Sequence, residues 1–210
     1  MDARNDGAKR ALDLALSVPL WLLSLPIQGV FALTIRLTMG SPVLFRQTRP
    51  GLHGEPFELV KFRTMRPPKA GQDPFTTDDV RVTRLGEVLR RTSLDELPEL
   101  LQVLTGKMSL VGPRPLVMEY LPRYSARHAR RHEVKPGITG LAQVSGRRSL
   151  TFGQRLDLDV EYVETWSLRL DVQILLRTLS VPFQRGDIKG QSIAEVDDVN
   201  LFHRKLRDLG

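Results

Sequence analysis

The sequence predicts an α+β protein that is mostly helical, with a small β element beside a polar site. Three observations indicate this class. An almost continuous apolar run extends from Ala11 to Ile35. Segments 42–45 and 55–64 have the composition or alternation of short strands. Helical stretches are predicted at 82–91, 154–165 and 171–184. We divide the chain into a membrane segment (1–40), a second domain at the membrane interface (41–185) and a C-terminal tail (186–210).

The charge balance indicates an anionic partner. The chain has 31 Lys and Arg residues against 24 Asp and Glu residues, which gives a net charge of +7. Nucleic acid, an acidic membrane surface and a phosphorylated substrate all fit that charge. Aromatic residues make up only 6% of the chain, so nothing indicates base stacking, and we do not expect nucleic acid. Because cysteine is absent, disulfides and thiolate metal sites are excluded.

The apolar run is long enough to interact with a membrane, and its flanks limit how it does so. It lacks the cleavage site of a signal peptide. Lys9 and Arg10 precede it and Arg36 follows it, which draws both ends to the cytoplasmic side. Pro26 removes a backbone hydrogen bond near the middle, and Ser24 stands beside it. We therefore expect a re-entrant helix-hairpin, with a spanning helix and a buried core helix as the alternatives.

Two adjacent carboxylates, Asp95 and Glu96, follow a pair of arginines and precede an apolar run. In one interpretation they are structural, because Ser93 and Glu96 have the spacing of a capping box. In the other, the regular helix begins at Pro98 and leaves the carboxylates free on the preceding turn. Neighbouring guanidinium groups favour their ionised form. An ionised carboxylate can ligate Mg²⁺ or attack phosphorus.

Basic residues outside this stretch are candidate phosphate ligands. Lys61 and Arg63 lie on the polar face of the predicted strand 55–64. Arg114 stands between two prolines, in a turn that is either a ligand-presenting element or a rigid connector. Residues 119–134 form a basic helix in our prediction, either on anionic headgroups or simply solvated. Residues 141–144 are predicted as a strand that ends beside Arg147, where glycine permits a close approach to phosphate.

Several ordered motifs resemble the bacterial sugar transferases, and more narrowly the small monotopic phosphoglycosyl transferases. The resemblance covers roughly residues 9–185, and one position departs from it. Members often carry serine directly before the hairpin proline, whereas this chain has Leu25 there and Ser24 one place earlier. The matching segments are 9–13, the apolar hairpin with Pro26, 47–51, 61–65, 93–97, 108–115, 136–140 and 146–147.

The resemblance implies a membrane enzyme that transfers a sugar phosphate from a UDP-sugar to polyprenyl phosphate and releases UMP. By the family's mechanism, Asp95 attacks the β-phosphorus and also ligates Mg²⁺, and Glu96 assists the second step or orients the phosphates. The predicted substrate contacts are Lys61, Arg63, Arg90, Arg114, Gln143, Arg147 and Asp159.

The predicted partners are the UDP-sugar, the polyprenyl phosphate and anionic membrane lipid, at the cytoplasmic face of the bacterial inner membrane. A homodimer is compatible with the sequence, which does not specify the oligomeric state. The segment 119–124 resembles members that use N-acetylated amino-deoxy sugars. Two other functions are open at this point: a non-catalytic protein that binds anionic surfaces, and a phosphatase acting on lipid-linked phosphates.

Overall fold

The structure is a computed structural model, and it describes residues 3–67, 81–146 and 150–180. Arg147, most of the predicted loop 66–79 and the predicted tail 186–210 lie outside these residues. The expectation of a mostly helical protein with small sheets and one long apolar N-terminal helix is confirmed.

Helix α1 (Ala3–Met39) contains the whole apolar run, and Pro19 and Pro26 both lie inside it. Its stretch from Asp6 to Met39 is long and apolar enough to cross a membrane, and little of it is buried against the rest of the chain. The two ends are the exceptions. Lys9 and Asp13 are buried near its start, and Ile35 is fully buried near its end. The predicted helix is therefore present, and both of its ends pack against the rest of the protein.

Strands β1 (Leu44–Pro50) and β2 (Pro56–Phe62) form an antiparallel hairpin, with Leu44 opposite Phe62 at its open end. Its core side chains are the predicted Phe57, Leu59 and Phe62, although the alternation of apolar and polar residues slips between Val60 and Phe62. Phe62 also packs with α1, because its ring meets that of Phe31 edge-on at 6.2 Å between centroids. The hairpin thereby joins the second end of α1 to the core.

Helix α2 (Arg84–Thr92) confirms the helix predicted at 82–91. Its close packing against β2 requires Gly86, where a Cβ would lie 1.9 Å from the carbonyl oxygen of Thr64. A 3₁₀ segment (Leu94–Glu99) follows, and then helix α3 (Leu100–Leu104). The acidic pair therefore lies on a tight turn between two helices.

Strands β3 (Ser109–Val111) and β4 (Gly137–Thr139) pair in parallel. Two predictions are wrong in this region. Residues 141–144 belong to helix α5 (Leu141–Ser145), and the strand lies just before them. Residues 119–134 do not form one basic helix: Met118–Arg123 and Arg130–Glu133 are 3₁₀ segments on either side of the short helix α4 (Ala126–Ala129). Pro122 helps to explain the interruption, because proline cannot donate its backbone hydrogen bond.

Helices α6 (Phe152–Thr165) and α7 (Leu168–Ser180) confirm the two helices predicted near the end of the described chain. Thr151 and Gln154 form a complete capping box at the start of α6, which satisfies two backbone amides there. Both helices close the larger core. Its buried members are Phe57, Leu59, Leu100, Val103, Met108, Leu110, Val111, Val134, Leu141, Tyr162 and Ile174.

Candidate active site

The acidic pair sits on the 3₁₀ segment because α2 ends abruptly at Ser93. That residue adopts a left-handed conformation with φ of 57°, and its side chain makes no capping hydrogen bond. The capping-box interpretation is therefore wrong. The alternative is correct in placing the pair on a turn before the next helix, although α3 begins at Leu100 rather than Pro98. Asp95 is 4% exposed, so its carboxylate faces the protein rather than bulk water.

Three cationic side chains surround this pair. Arg114 donates a hydrogen bond to the Glu96 carboxylate. Lys61 lies above the Phe45 ring, with Nζ at 5.6 Å from the ring centroid, and attracts both carboxylates electrostatically. Arg90 donates from Nε to the Thr64 hydroxyl at 2.9 Å. The structure thus brings together five of the residues predicted for the site, although they come from four separate segments of the chain.

The Pro-Arg-Pro turn lies close to β4 because glycines stand at the points where the two backbones meet. A Cβ on Gly137 would lie 2.1 Å from the Gly112 amide nitrogen, and a Cβ on Gly140 would lie 2.3 Å from the Gly112 carbonyl oxygen. Only glycine permits backbones to approach this closely. The Arg131 guanidinium then donates to the Arg114 carbonyl oxygen at 2.7 Å. These contacts fix the backbone from which Arg114 reaches the acidic pair.

Burial opposes ionisation of the carboxyl groups here. The pKa of Asp95 is raised, first by its burial and then by Glu96, although Lys61, Arg114 and Arg90 pull it down. Sequence reasoning considered only the neighbouring guanidinium groups and so missed the desolvation. The pKa of Lys61 is lowered, mainly by burial and by Arg114. The carboxylates, Glu96 foremost, raise the pKa of Arg114. The site is therefore a mutually dependent set of buried charges.

The structure gives Arg63 a different position from the predicted substrate contact. It is 9% exposed, and its Nη atoms donate to the carbonyl oxygens of Met39, Gly40 and Ser41 at 2.5, 2.7 and 3.1 Å. Met39 is the last residue of α1, where a helix leaves its final carbonyls without intrahelical partners, and Gly40 and Ser41 directly follow it. The alternation of strand β2 placed Arg63 on a polar face, but the end of α1, more than 20 residues away in sequence, occupies its guanidinium.

Among the described residues, neither Asp159 nor Gln143 makes a hydrogen bond to the acidic pair. Asp159 is 5% exposed and accepts from Arg131 at Nε (3.0 Å) and Nη2 (2.7 Å), so its carboxylate belongs to a buried ion pair. Gln143 lies on α5, and both polar atoms of its amide are buried without a hydrogen-bond partner. Arg147 lies outside the described residues.

Sequence reasoning missed two charged residues of this region. Glu99 is 1% exposed and interacts electrostatically with Glu96, Arg114 and Lys61. Arg49 is part of the Gln-x-Arg-Pro-Gly motif; it interacts with Arg114 and Glu99 and donates to the Gln47 side chain at 2.7 Å. The signal for Glu99 was its spacing, since it follows Asp95 by four residues. The spacing of one helical turn places it near the pair.

The acidic pair offers hard oxygen ligands of the type that Mg²⁺ prefers. Among the described residues, no group of three or more His, Asp or Glu side chains is arranged to hold a metal ion. Magnesium commonly keeps water and takes substrate phosphate oxygens alongside one or two carboxylates. A bound cation would lower the raised pKa of Asp95 and so favour its ionised form. The donor set fits an ion that binds together with a phosphorylated substrate.

An acidic pair ringed by cations, next to an exposed apolar helix, defines a membrane-associated protein with a site for anionic groups. Comparison with known proteins gives the narrower class. The sequence profile of the family "Bacterial sugar transferase" matches residues 4–185. The chain belongs to the bacterial sugar transferase family, and the predictions of that family and of a transferase are confirmed.

Individual relatives agree with this assignment. The chain is 50% identical over 171 residues to the uncharacterized sugar transferase EpsL of Bacillus subtilis, covering 81% of this chain and 85% of that protein. It is 47% identical over 184 residues to the UDP-glucose:undecaprenyl-phosphate glucose-1-phosphate transferase of Caulobacter vibrioides, covering 83% and 69%. An Escherichia coli protein of the same name is 42% identical over 185 residues. There the match covers 83% of this chain and only 40% of the relative.

Proposed function

We propose that this protein transfers a sugar-1-phosphate from a UDP-sugar to undecaprenyl phosphate. The observation that carries the proposal is the acidic pair of buried Asp95 and half-buried Glu96, with Lys61, Arg90 and Arg114 around it. Two relatives support the reaction class, and the match to this chain covers more than two thirds of each. One is named a sugar transferase and the other a glucose-1-phosphate transferase. The cations suit a donor diphosphate, which carries two negative charges.

The proposed reaction has two displacements at one phosphorus atom. An Asp95 carboxylate oxygen attacks the β-phosphorus of the donor. The bond to the bridging oxygen breaks, and UMP leaves with that oxygen. A phosphate oxygen of undecaprenyl phosphate then attacks the same phosphorus, which breaks the bond to Asp95 and restores its carboxylate. The product is a diphosphate-linked sugar. Such covalent use of a carboxylate divides one difficult step into two easier ones.

The surrounding side chains have separate tasks in this scheme. Burial of Asp95 removes the hydration that would weaken it as a nucleophile, and the charges of Lys61 and Arg114 favour its ionised form. Arg114 also orients Glu96 through their hydrogen bond, which places a second carboxylate beside the reacting group. When bound, Mg²⁺ would supply neutralisation of the diphosphate charge, with Asp95 as its protein ligand.

We also propose that α1 enters and leaves the membrane on the same, cytoplasmic side. A helix spanning the bilayer would place its two ends on opposite faces. Here Asp13 near the start accepts from the Leu110 amide at 3.0 Å, whereas Ile35 near the end packs with Phe62 and Leu89. Both contacts are with the same polar domain. Exposed apolar side chains lie between them: Leu16, Val18, Leu20, Leu22, Leu23, Leu25, Ile27, Val30 and Leu33.

The proposed bend has its cause near the middle of the helix. Pro26 lacks the amide that would bond to the Leu22 carbonyl. Ser24 donates from Oγ to the Trp21 carbonyl oxygen at 2.8 Å and accepts from Gln28 Nε2 at 2.8 Å. Such bonds from a serine to the preceding turn bend helices slightly. Ser24 and Pro26 therefore remain the proposed hairpin residues, in agreement with the sequence-based expectation.

The reaction is tested by the intact mass of the purified protein after incubation with a panel of UDP-sugars and Mg²⁺, without lipid acceptor. We expect a sugar-phosphate adduct with one donor and UMP release in equal amount. Asp95→Asn removes the nucleophile and should abolish both, and Glu164→Gln, a surface variant, should retain both. UMP release that is as fast in Asp95→Asn as in the natural protein would contradict the covalent mechanism. Consumption of a polyprenyl diphosphate without nucleotide sugar would indicate a phosphatase instead.

The topology is tested with single cysteines, since the natural chain has none. Asp6→Cys lies in the first turn of α1 and Ser41→Cys lies just after its end, both at exposed positions. A membrane-impermeant maleimide applied to intact spheroplasts should label neither, and applied to inverted membrane vesicles it should label both. Labelling of one site from each side would show that α1 spans the bilayer, and would overturn the hairpin without affecting the proposed reaction.

A further inference from the structure

Glu99 is a buried acidic residue that the proposed reaction does not use. It ends the 3₁₀ segment that carries Asp95 and Glu96 and is 1% exposed. Its Oε1 is buried without a hydrogen-bond partner in the part of the chain that the structure describes. An orphaned oxygen of a buried carboxylate is costly to keep charged. Its retention beside a catalytic pair calls for a physical role.

Charged groups from four segments of the chain act on Glu99. Asp95 and Glu96 share its segment, Lys61 comes from β2, and Arg114 comes from the turn after β3. The guanidinium of Arg49, on β1, also interacts with Glu99. Burial and repulsion from Glu96 outweigh the attraction of Arg114 and Lys61 and raise the pKa of Glu99 to about 7. Near neutral pH this side chain therefore changes its charge.

We propose that Glu99 is a third carboxyl group of the donor site, whose neutral form permits binding of the donor diphosphate and whose ionised form opposes it. This inference rests on the proposed function. Lys61, Arg114 and Arg49 would attract the donor's diphosphate, and ionisation of Glu99 adds a negative charge among them that weakens this attraction. Glu99 acts through charge on the cations that hold the donor, so it is a positioning residue.

The reciprocal effect follows from linkage. A ligand that binds better to the protonated form must raise the protonated fraction when it binds. The donor's diphosphate brings negative charge close to Arg114 and Lys61 and competes for their attraction to Glu99. Donor binding near neutral pH should therefore draw a fraction of a proton from solution onto Glu99.

The test measures binding of UDP-glucose with Mg²⁺ to the full-length protein in detergent, by titration calorimetry. Every protein compared, the otherwise natural chain included, carries Asp95→Asn, so that the proposed covalent step does not follow binding. UDP-glucose is the first probe because relatives carry it in their names, and the same UDP-sugar panel follows if it does not bind. For the natural protein we expect binding about tenfold weaker at about pH 8 than at about pH 6, which corresponds to one pKa unit of coupling. Glu99→Gln, which keeps the shape and removes the charge, should bind equally at both values within about twofold.

Proton uptake provides the second measurement. Titrations in two buffers with different ionisation enthalpies give the number of protons taken up on binding. We expect uptake for the natural protein at about pH 7.5 and its loss in Glu99→Gln. Glu164→Gln, an exposed glutamate paired with Arg130, is the matched control and should behave as the natural protein does.

The outcomes separate the two proposals. Equal pH dependence in the otherwise natural chain and in Glu99→Gln would overturn the role of Glu99 and assign the titration to another group of the site, such as Lys61. Binding of a UDP-sugar that does not vary with pH would also overturn it, and would leave the proposed function standing. If no UDP-sugar binds at either pH, the proposed function fails and the role of Glu99 fails with it.

Discussion

Lys9 and Asp171 are 162 residues apart in the sequence, and Lys9 Nζ lies 2.6 Å from Asp171 Oδ2 in a fully buried ion pair. The same carboxylate accepts from the Tyr162 hydroxyl at 2.7 Å, and Lys9 also donates to the Val111 carbonyl oxygen at 3.0 Å. This network joins the start of the membrane helix to α7, α6 and β3. The orientation of α1 relative to the active site therefore depends on it.

Removal of one partner from this pair should be strongly destabilising. Lys9→Met leaves the Asp171 carboxylate buried without its cation, and Asp171→Asn leaves the Lys9 ammonium group buried without its anion. We expect each to lower the free energy of unfolding by about 3–5 kcal/mol, measured by denaturant unfolding in detergent. The double variant should cost less than the sum of the single changes. Additive losses would show that the two groups do not interact in solution.

Arg63 should act as a helix cap rather than a substrate ligand. It donates to three carbonyl oxygens at the end of α1, and Arg63→Ala leaves them without these bonds. We expect a loss of about 1–3 kcal/mol in stability, with the KM for the UDP-sugar changed less than about twofold. Arg63→Lys, which retains one donor group and the charge, should recover part of the stability. A large rise in KM in a stably folded variant would restore the substrate role.

For Asp159, as for Arg63, a substitution can distinguish a structural role from a contact with the substrate. Asp159→Asn breaks the buried pair with Arg131, whose Nη2 also holds the Arg114 carbonyl oxygen. We expect the free energy of unfolding to fall by about 3 kcal/mol. We also expect kcat to fall, because the turn that carries Arg114 becomes less well ordered. A rise in donor KM with unchanged thermal stability would instead indicate a direct contact between Asp159 and the substrate.

Arg114 connects the Pro-Arg-Pro turn to the acidic pair through its hydrogen bond to Glu96. Arg114→Ala removes both this contact and a cation beside Asp95, and we expect kcat/KM to fall by about 10–100-fold. Arg114→Lys keeps the charge but loses the forked geometry, so its loss should be intermediate. The measurement is UMP release at varied donor concentration. The control is Arg46→Ala, which should retain full activity. Arg46 lies on β1 and forms an exposed ion pair with Glu58.

Much of the site could be predicted from the sequence because its residues lie in short, ordered motifs. The roles of Arg63 and Asp159 could not, because their partners are more than 20 residues away and local patterns do not show which charges will pair. The acidic pair was found, but Glu99 was not. Its four-residue spacing from Asp95 places it near the pair, but the sequence does not show that its side chain is buried and faces charges from distant segments.

The local errors have a common cause. Ser93 has the right spacing for an N-cap, yet the chain reverses there with φ of 57°, and a capping side chain needs an extended conformation. Residues 141–144 form a four-residue apolar run, which periodicity cannot assign to strand or helix. In both places tertiary packing, and not propensity, selected the conformation.

Glu99 should make the stability of the protein fall as pH rises. Its pKa is raised to about 7 in the folded state, so between about pH 4.5 and pH 7 the folded chain binds more protons than the unfolded chain. Stability is then lost across that window as pH increases. Glu99→Gln removes this loss, and we expect it to unfold at a higher denaturant concentration than the natural protein at about pH 8, and at a similar one at about pH 4.5. Glu164→Gln should show no such difference. An equal or lower midpoint for Glu99→Gln at the higher pH would contradict the burial of an uncompensated charge at this position.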